Sequence, residues 1–471
     1  MNYEYFYSII VLGISGFISL AIGIKNNNKK ILAGFTALVL IVSFILILLG
    51  TKNYDVLTMN FNTFDDYWAL IFIASTLLII IPSMNDIKGR YDVFYALILF
   101  MTLSMLIAAF TYNLIVLFVS FEGVSVITYV LVAFNRTRRN LEGSLKYFII
   151  STLGTSFNIL GISFFYLSTK TFDLFSVNKI FFNKALLLAL VFIIIGFGFK
   201  LAIFPMQQWA IDTYDGAPNS ISAFLSTGGK VLAYMILLKI LYLGFVHDYN
   251  YVFYFFAILG ILTMTYGNLS ALSQNNLKRI FAYSSVAQAG YMVLVFALIG
   301  FSYFPANVIP RSTFIRFGIA SAMFYAVVYI FMQGGAYIAM NLIKKDKIMI
   351  EDLDGLSRKS RLSALSLWIF MLSLTGIPLT GGFLAKYFLF FSLIVGGLWW
   401  LAIIAILNSV ISVFYYFRII LNSYVSEASE SDNEFNLAPS VRYPLYVTAL
   451  ITIALGVSFF IYTYLIGLAT I

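Results

Sequence analysis

Four charged residues stand where a charge is costly. Glu122 interrupts LIVLFVSFEGVSVITYVLVAF (114–134), and Lys200 lies between FIIIGFGF and LAIFP. Lys230 sits in ISAFLSTGGKVLAYMILL (221–238), and Lys386 follows the break PLTGGFLA (378–385). At the centre of a lipid bilayer each costs about 2.5–3.5 kcal/mol, roughly 10 kcal/mol together before compensation. Groups of this kind face a protein interior, pair with one another, or line water. Burial disfavours a charge and a neighbouring opposite charge restores it. A lysine held between those pressures takes or releases a proton when its partner changes, so the chemistry in view is proton transfer. Glu122 with Lys200 is the first candidate pair, and Lys230 and Lys386 are candidate later stations on one polar line.

Other polar residues in the apolar runs carry weaker signals. Ser226, Thr227, Gln288, Tyr329 and Gln333 could hold water between charged stations or glue helices together, and glue is the commoner role in membrane bundles. Lys146, Lys184 and Lys239 read as snorkelling residues near helix ends. Asp212 and Asp215 read as a connector that caps the following helix, with Asp215 a second candidate for an entry vestibule. His247 lies beside Asp248 and Asn250 in a polar interruption and reads as a solvated loop residue, since zinc and haem sites need several ligands. With no cysteine in the chain, disulfides, thiolate metal sites and cysteine-held clusters are excluded. The expectation is no cofactor and no metal in this chain.

The elements that must position these charges are membrane helices. Of 471 residues 61% are hydrophobic and only 10% charged, with mean hydropathy +0.94, whereas about a quarter of an average soluble chain is charged. Lipid is therefore the solvent for most of the surface. A spanning helix needs roughly 20 apolar residues, and by that measure about fourteen segments are expected. They lie near 5–24, 31–50, 67–83, 92–110, 113–134, 145–168, 185–211, 219–245, 250–272, 279–300, 316–343, 363–391, 397–421 and 442–468. The gaps hold no soluble domain, so residues 1–471 read as one integral membrane domain. The first apolar run lacks a basic leader and reads as a first span, not a cleaved signal.

Net charge is +9. In a membrane chain this reads as cation bias of the cytoplasmic connectors and not as nucleic-acid binding. Lys25, Lys29, Lys30, Lys88, Arg90, Arg136, Arg138, Arg139, Lys278, Arg279 and the 344–361 cluster fall on one side. Lys52, Lys170, Lys179, Lys184, Arg311 and Arg316 fall on the other. The first connector is thus expected in the cytoplasm and, with an even span count, both termini outside. Segments 7 and 12 each place a lysine near a Pro or Gly interruption, in GFGFKLAIFPMQQW (196–209) and GIPLTGGFLAKYF (376–388). Broken helices in corresponding halves point to inverted repeats around an ion path.

These stretches, with SLKYFIISTLGTSFNILGISFFY (144–166), WAIDTYDGAPNSISAFLSTGGK (209–230) and NLKRIFAYSSVAQAGYM (276–292), make the chain similar to the antiporter-like membrane subunits of respiratory complex I. The resemblance runs from about 60 to 425 and is closest to the subunit N type. It implies an all-α, polytopic transmembrane bundle of about 14 helices, with broken helices 7 and 12. Two inverted five-helix repeats are implied, with halves about 92–245 and 250–421. It also implies an ion pair of Glu122 with Lys200, continuation through Lys230, and closure toward the outside at Lys386. A lysine at 386 and a chain ending after segment 14 favour type N over types M and L.

The implied function is proton translocation in a multi-subunit NADH (or F420H2 or ferredoxin):quinone oxidoreductase, with quinone and redox centres held elsewhere in the assembly. Partners would be other membrane subunits and the lipid of a cell membrane, a prokaryotic plasma membrane before an organelle one. A subunit of a multi-subunit cation/proton antiporter or membrane-bound hydrogenase, and a purely structural scaffold, are the competing readings. Two positions depart from the family pattern: Gln207 and Gln288 stand where histidine is common, and neither can titrate.

Overall fold

The computed structural model describes residues 4–50, 54–56, 59–177, 183–245, 249–301, 311–425 and 435–469. His247, Asp248, Lys52 and Lys179 lie outside the described residues. The described chain is almost wholly helical; its one sheet is a short antiparallel hairpin, Tyr54–Val56 with Met59–Phe61, which the all-α expectation did not include. Counting the run 219–244 as one, thirteen described helices are long and apolar enough to cross a membrane. The remaining expected segment, 363–391, is two half-length helices. Span count and fold class therefore agree with the sequence, and the chain is a multi-pass membrane protein.

The chain forms two compact units, the first Met1–Leu201 with Gly216–Asp248, the second Ala202–Asp215 with Tyr249–Thr470. In the first unit the helices are α1 (Glu4–Lys25), α2 (Lys29–Leu49), α3 (Thr63–Asp86), α4 (Tyr91–Phe110), α5 (Leu114–Val132), α6 (Arg138–Thr169) and α7 (Lys184–Leu201). Expected segment 7 ran on to 211, but α7 stops at Leu201, Ala202 takes a left-handed φ of 57°, and α8 (Gln208–Gly216) follows. Expected segment 8 is likewise divided, into α9 (Asn219–Ser226) and α10 (Gly228–Lys239), the latter continuing as a π-helical turn over Ile240–Gly244. Residues 220–241 of this run are all buried. A helix apolar all round belongs at the centre of its unit, and this one carries Lys230.

The second unit contains most of α8, then α11 (Tyr249–Leu272), α12 (Leu277–Gly300), α13 (Arg311–Ala339), α14 (Leu356–Lys359), α15 (Arg361–Thr375), α16 (Gly381–Val395), α17 (Trp399–Tyr424), α18 (Pro439–Val457) and α19 (Phe459–Leu468). Here α12 is the buried helix, every residue but Arg279 being buried.

Short connectors end in residues that close the next helix. Asn28, Asn62, Asn113 and Asn276 each accept a hydrogen bond from a first-turn N–H of α2, α3, α5 and α12, and Thr137 with Asn140 forms a capping box on α6. Such caps stabilise a helix start by about 1 kcal/mol each. The helix start after Asp215 behaves differently from expectation. Asp212 and Asp215 lie within α8 and engage Arg279 and Asn276 of the same unit. The N-terminus of α9 is instead capped by Asp86, which accepts from the Ser220 N–H at 2.6 Å and its hydroxyl at 3.0 Å.

Candidate functional site

Close approach of α6 to α7 sets up the first site. A Cβ on Gly196 would stand 2.0 Å from Asn158 Oδ1, so glycine there lets the two backbones meet, as small residues do at membrane helix interfaces. Lys200 occupies the last turn of α7 with its side chain buried. Its amine donates to Ser125 Oγ of α5 at 3.2 Å and to the hydroxyl of Tyr147 on α6. The ammonium also lies 4.7 Å from the centre of the Tyr147 ring, within cation–π range.

Glu122 lies three residues before Ser125 on the same face of α5 and is only half-buried. Its Oε1 accepts from the Thr155 hydroxyl of α6 at 2.9 Å. Among the described residues no ion pair joins Glu122 to Lys200. Hydroxyls are their contacts, Thr155 for Glu122 and Ser125 with Tyr147 for Lys200. The expected contact pair is thus a separated pair. A belt of hydroxyls surrounds it: Thr128 and Tyr147 are bonded at 3.1 Å, and Tyr129 donates to Ser151 at 2.5 Å. None of these was singled out from the sequence. The signal was available, because Glu122, Ser125 and Tyr129 recur at helical spacing on α5, as Tyr147, Ser151 and Thr155 do on α6.

Lys230 is buried in the first turn of α10, just after the break at Thr227. Ser226 and Thr227 donate to the Ala223 carbonyl, so they satisfy the end of α9.

The same unit holds a second charged site. Lys239, read from the sequence as a snorkelling residue, is fully buried and forms a 2.8 Å ion pair with Asp65 of α3, whose side chain is equally buried. Tyr112 donates to Asp65 Oδ1 at 2.9 Å, its ring centre lies 4.1 Å from the ammonium, and Lys239 also donates to the Ala109 carbonyl. Lys146 and Lys184 are exposed as expected, with Lys146 paired to Glu142 at 2.8 Å.

In the second unit Lys386 is held by a helix end. The chain leaves α15 through Gly376 at φ 91°, a conformation that disfavours a side chain. A Cβ at Gly376 would also press on Lys386 Cδ at 2.9 Å. The Lys386 amine donates to the carbonyls of Leu374 and Thr375, each at 2.9 Å, and to Ser409 Oγ at 2.8 Å. Those carbonyls belong to the last turn of α15, which lacks intrahelical partners and carries the negative end of the helix dipole. The half-helix thus supplies what a carboxylate would.

A polar chain extends from this point. Gln288 donates to the Leu374 carbonyl at 3.1 Å and accepts from Tyr325, while Tyr416 joins Ser284 at 2.5 Å and Gln333 reaches the Phe281 carbonyl at 2.9 Å. Gln288 and Gln333 therefore act as interhelical glue adjoining a charged station. Gln207 is buried, and Tyr329 lies buried on α13. Among the described residues no cluster of three or more His, Cys, Asp or Glu side chains could hold a metal.

Residues 111–412 match the family described as NADH:quinone oxidoreductase/Mrp antiporter, transmembrane. The F420H2 dehydrogenase subunit N of Methanosarcina mazei is 32% identical over 95% of this chain and 93% of its own length. The NADH-quinone oxidoreductase subunit N of Trichlorobacter lovleyi is 33% identical over 82% of this chain and 79% of its own. A chain of respiratory complex I from Thermus thermophilus superposes with a TM-score of 0.82 at 27% identity, covering 95% of this chain and 96% of that one.

Proposed function

The chain belongs to the NADH:quinone oxidoreductase/Mrp antiporter membrane family, and from that premise we propose that it carries protons as the N-type membrane subunit of a complex I-like quinone-reducing assembly. Two of its relatives are named for different electron donors, NADH and F420H2, yet share the N designation. The task common to them lies in the membrane part, not in the donor. Lys200, Lys230 and Lys386 are the proton-bearing groups in this reading, and Glu122 is the charge that sets how firmly Lys200 holds its proton.

The observation that carries the proposal is the separation of Glu122 from Lys200. An ammonium bonded only to neutral hydroxyls keeps its charge through the field of a carboxylate it does not touch. A shift of Glu122 toward or away from α7 therefore changes proton affinity at Lys200 without breaking a contact pair. When Lys200 gives up its proton, Ser125 and Tyr147 remain as hydroxyl partners for the neutral amine. The demand is modest: moving one charge against 100 mV requires about 2.3 kcal/mol, within reach of a carboxylate moving by a few ångströms in a poorly screened interior. Lys386, held by carbonyl dipoles, serves as the exchange group of the second unit. The partial exposure of Glu122 at the depth of the bilayer supports a partner subunit covering this face, since a carboxylate left against lipid is costly.

The test is Glu122→Gln in the intact assembly, with quinone reduction and proton release measured together in sealed vesicles. The proposal expects assembly and electron transfer to persist while protons moved per electron fall. Unchanged pumping would leave the chain a scaffold. Cation/proton exchange by a preparation free of redox subunits would place it in an antiporter instead.

A further inference from the structure

On the cation-rich side of the first unit, a cavity of about 950 Å³ opens where the start of α4, the end of α5 and the start of α6 diverge. Its chemistry is split. Lys88 and Arg136 stand exposed at one end, and their side chains make no hydrogen bond or ion pair among the described residues. The nearby Arg90 is already committed, gripping Asp92 through two bonds of 2.8 and 2.6 Å. From the cationic end the cavity runs down between Val130, Leu145 and Phe148, all of which are exposed apolar residues of spanning helices. Tyr129 forms part of the lining, and its ring meets that of Tyr147 edge-on at 4.6 Å. One end of the groove therefore suits an anion and the rest suits hydrocarbon.

We propose that this groove binds an anionic phospholipid, with its phosphate between Lys88 and Arg136 and an acyl chain along Val130, Leu145 and Phe148. Three observations favour this occupant. The cations sit on the side that charge bias makes cytoplasmic, at the level where a spanning helix meets headgroups, and basic pockets between helices on that side suit acidic headgroups. The walls offer hydrocarbon contact and few polar groups, so a file of water, which needs two to four polar partners per molecule, is poorly served. The volume is that of a ligand pocket. A lipid seated here would press on Tyr129 and, through the ring contact, on the tyrosine that holds Lys200. Bilayer composition would then bear on the proton site.

The experiment uses the intact assembly purified in mild detergent, with retained phospholipid counted by extraction and native mass spectrometry. It compares wild type, Lys88→Gln/Arg136→Gln, Leu145→Trp to fill the groove, and Lys146→Gln as an exposed control outside it. The expected result is an anionic phospholipid retained by wild type and by the control and lost from the double variant and from Leu145→Trp. In nanodiscs of phosphatidylcholine with increasing phosphatidylglycerol, half-saturation of turnover should rise roughly thirtyfold in the double variant, from about tenfold per 1.4 kcal/mol and about 1 kcal/mol for each cation removed. Equal retention of anionic lipid in wild type and double variant overturns the proposal. So does a photo-crosslinker at position 130 that captures a polypeptide and no lipid, which would make the groove a subunit interface. Displacement of the lipid by inorganic phosphate alone also overturns it, because the acyl contacts would then contribute nothing.

Discussion

Lys200 and Lys239 are both buried in apolar helices of one unit, and their charges are balanced in opposite ways. Lys239 touches its carboxylate at 2.8 Å, Tyr112 donates to the same carboxylate, and Lys239 donates to the Ala109 carbonyl. Lys200 touches hydroxyls, and its carboxylate stands apart, held by Thr155. A contact pair of two fully buried charges resists change, because moving either member leaves the other unpaired in a low-dielectric interior. A separated pair, each member already hydrogen-bonded, can alter its spacing at small cost. The first arrangement anchors the end of α10 to α3. The second leaves a lysine whose proton affinity responds to where its partner is. Burial alone does not distinguish a structural charge from a working one; the identity of the nearest partner does.

The comparison is broken most severely at the anchored pair. Lys239→Met strands the Asp65 carboxylate and should lower the stability of the assembly by about 3–5 kcal/mol, seen as lost assembly or a large fall in Tm. Lys239→Arg, which keeps a permanent charge, should leave proton pumping intact, and Lys239→Met/Asp65→Leu should recover most of the loss. If the single and double variants were equally unstable, the contact would not be the source of the anchoring. Lys200→Met is the next largest effect, and of a different kind. Ser125 retains its own bond to the Phe121 carbonyl and Tyr147 retains Thr128, so nothing charged is stranded in contact. Stability should change by no more than about 1 kcal/mol, whereas proton release per electron should fall at least about tenfold, on the scale of losing a positioned proton-transfer group. A stability loss comparable to that of Lys239→Met would erase the distinction. Tyr147→Phe lies between, removing one hydroxyl acceptor worth about 1 kcal/mol. A roughly fivefold slower pumping rate with unchanged quinone affinity would locate the effect at Lys200.

The parts of this arrangement legible in the sequence are those that contradict their surroundings. Glu122, Lys200, Lys230 and Lys386 stood out because a charge in an apolar run is expensive, and the break before Lys386 stood out through Pro378 and Gly376. The split of segment 8 at Thr227 was marked only by Gly228 and Gly229, a weaker sign because glycine is common in membrane helices, and the segment read as continuous. Partnerships were harder to read, because helices apolar on every side give no face by periodicity. Asp65 lies in the first turn of α3 beside an asparagine cap, and Lys239 in the last turn of α10. Each has a local explanation as a charge suited to its end of the helix dipole, and so neither called for a distant partner. The hydroxyls around Lys200 were hidden differently, since serine and threonine in membrane helices ordinarily bond to their own backbone, as Ser125 and Thr155 also do here.

Thr155 offers the smallest and most discriminating change. It donates to Glu122 at 2.9 Å, and replacing it with valine keeps shape while removing the donor. Glu122 is half-exposed, so the bond is discounted for solvent or partner groups that take its place, and the net loss should be about 0.5 kcal/mol or roughly twofold. The direction is what matters. A carboxylate freed from Thr155 can swing toward Lys200, so the separated pair would move toward the contact geometry that Asp65 and Lys239 show. That strengthens the hold on the proton, and Thr155→Val should slow proton release while uptake stays unchanged or quickens. Measuring the two half-reactions separately in vesicles decides the matter. If release accelerated, Thr155 would instead be restraining a carboxylate that moves away from Lys200, and the coupling would run in the opposite sense.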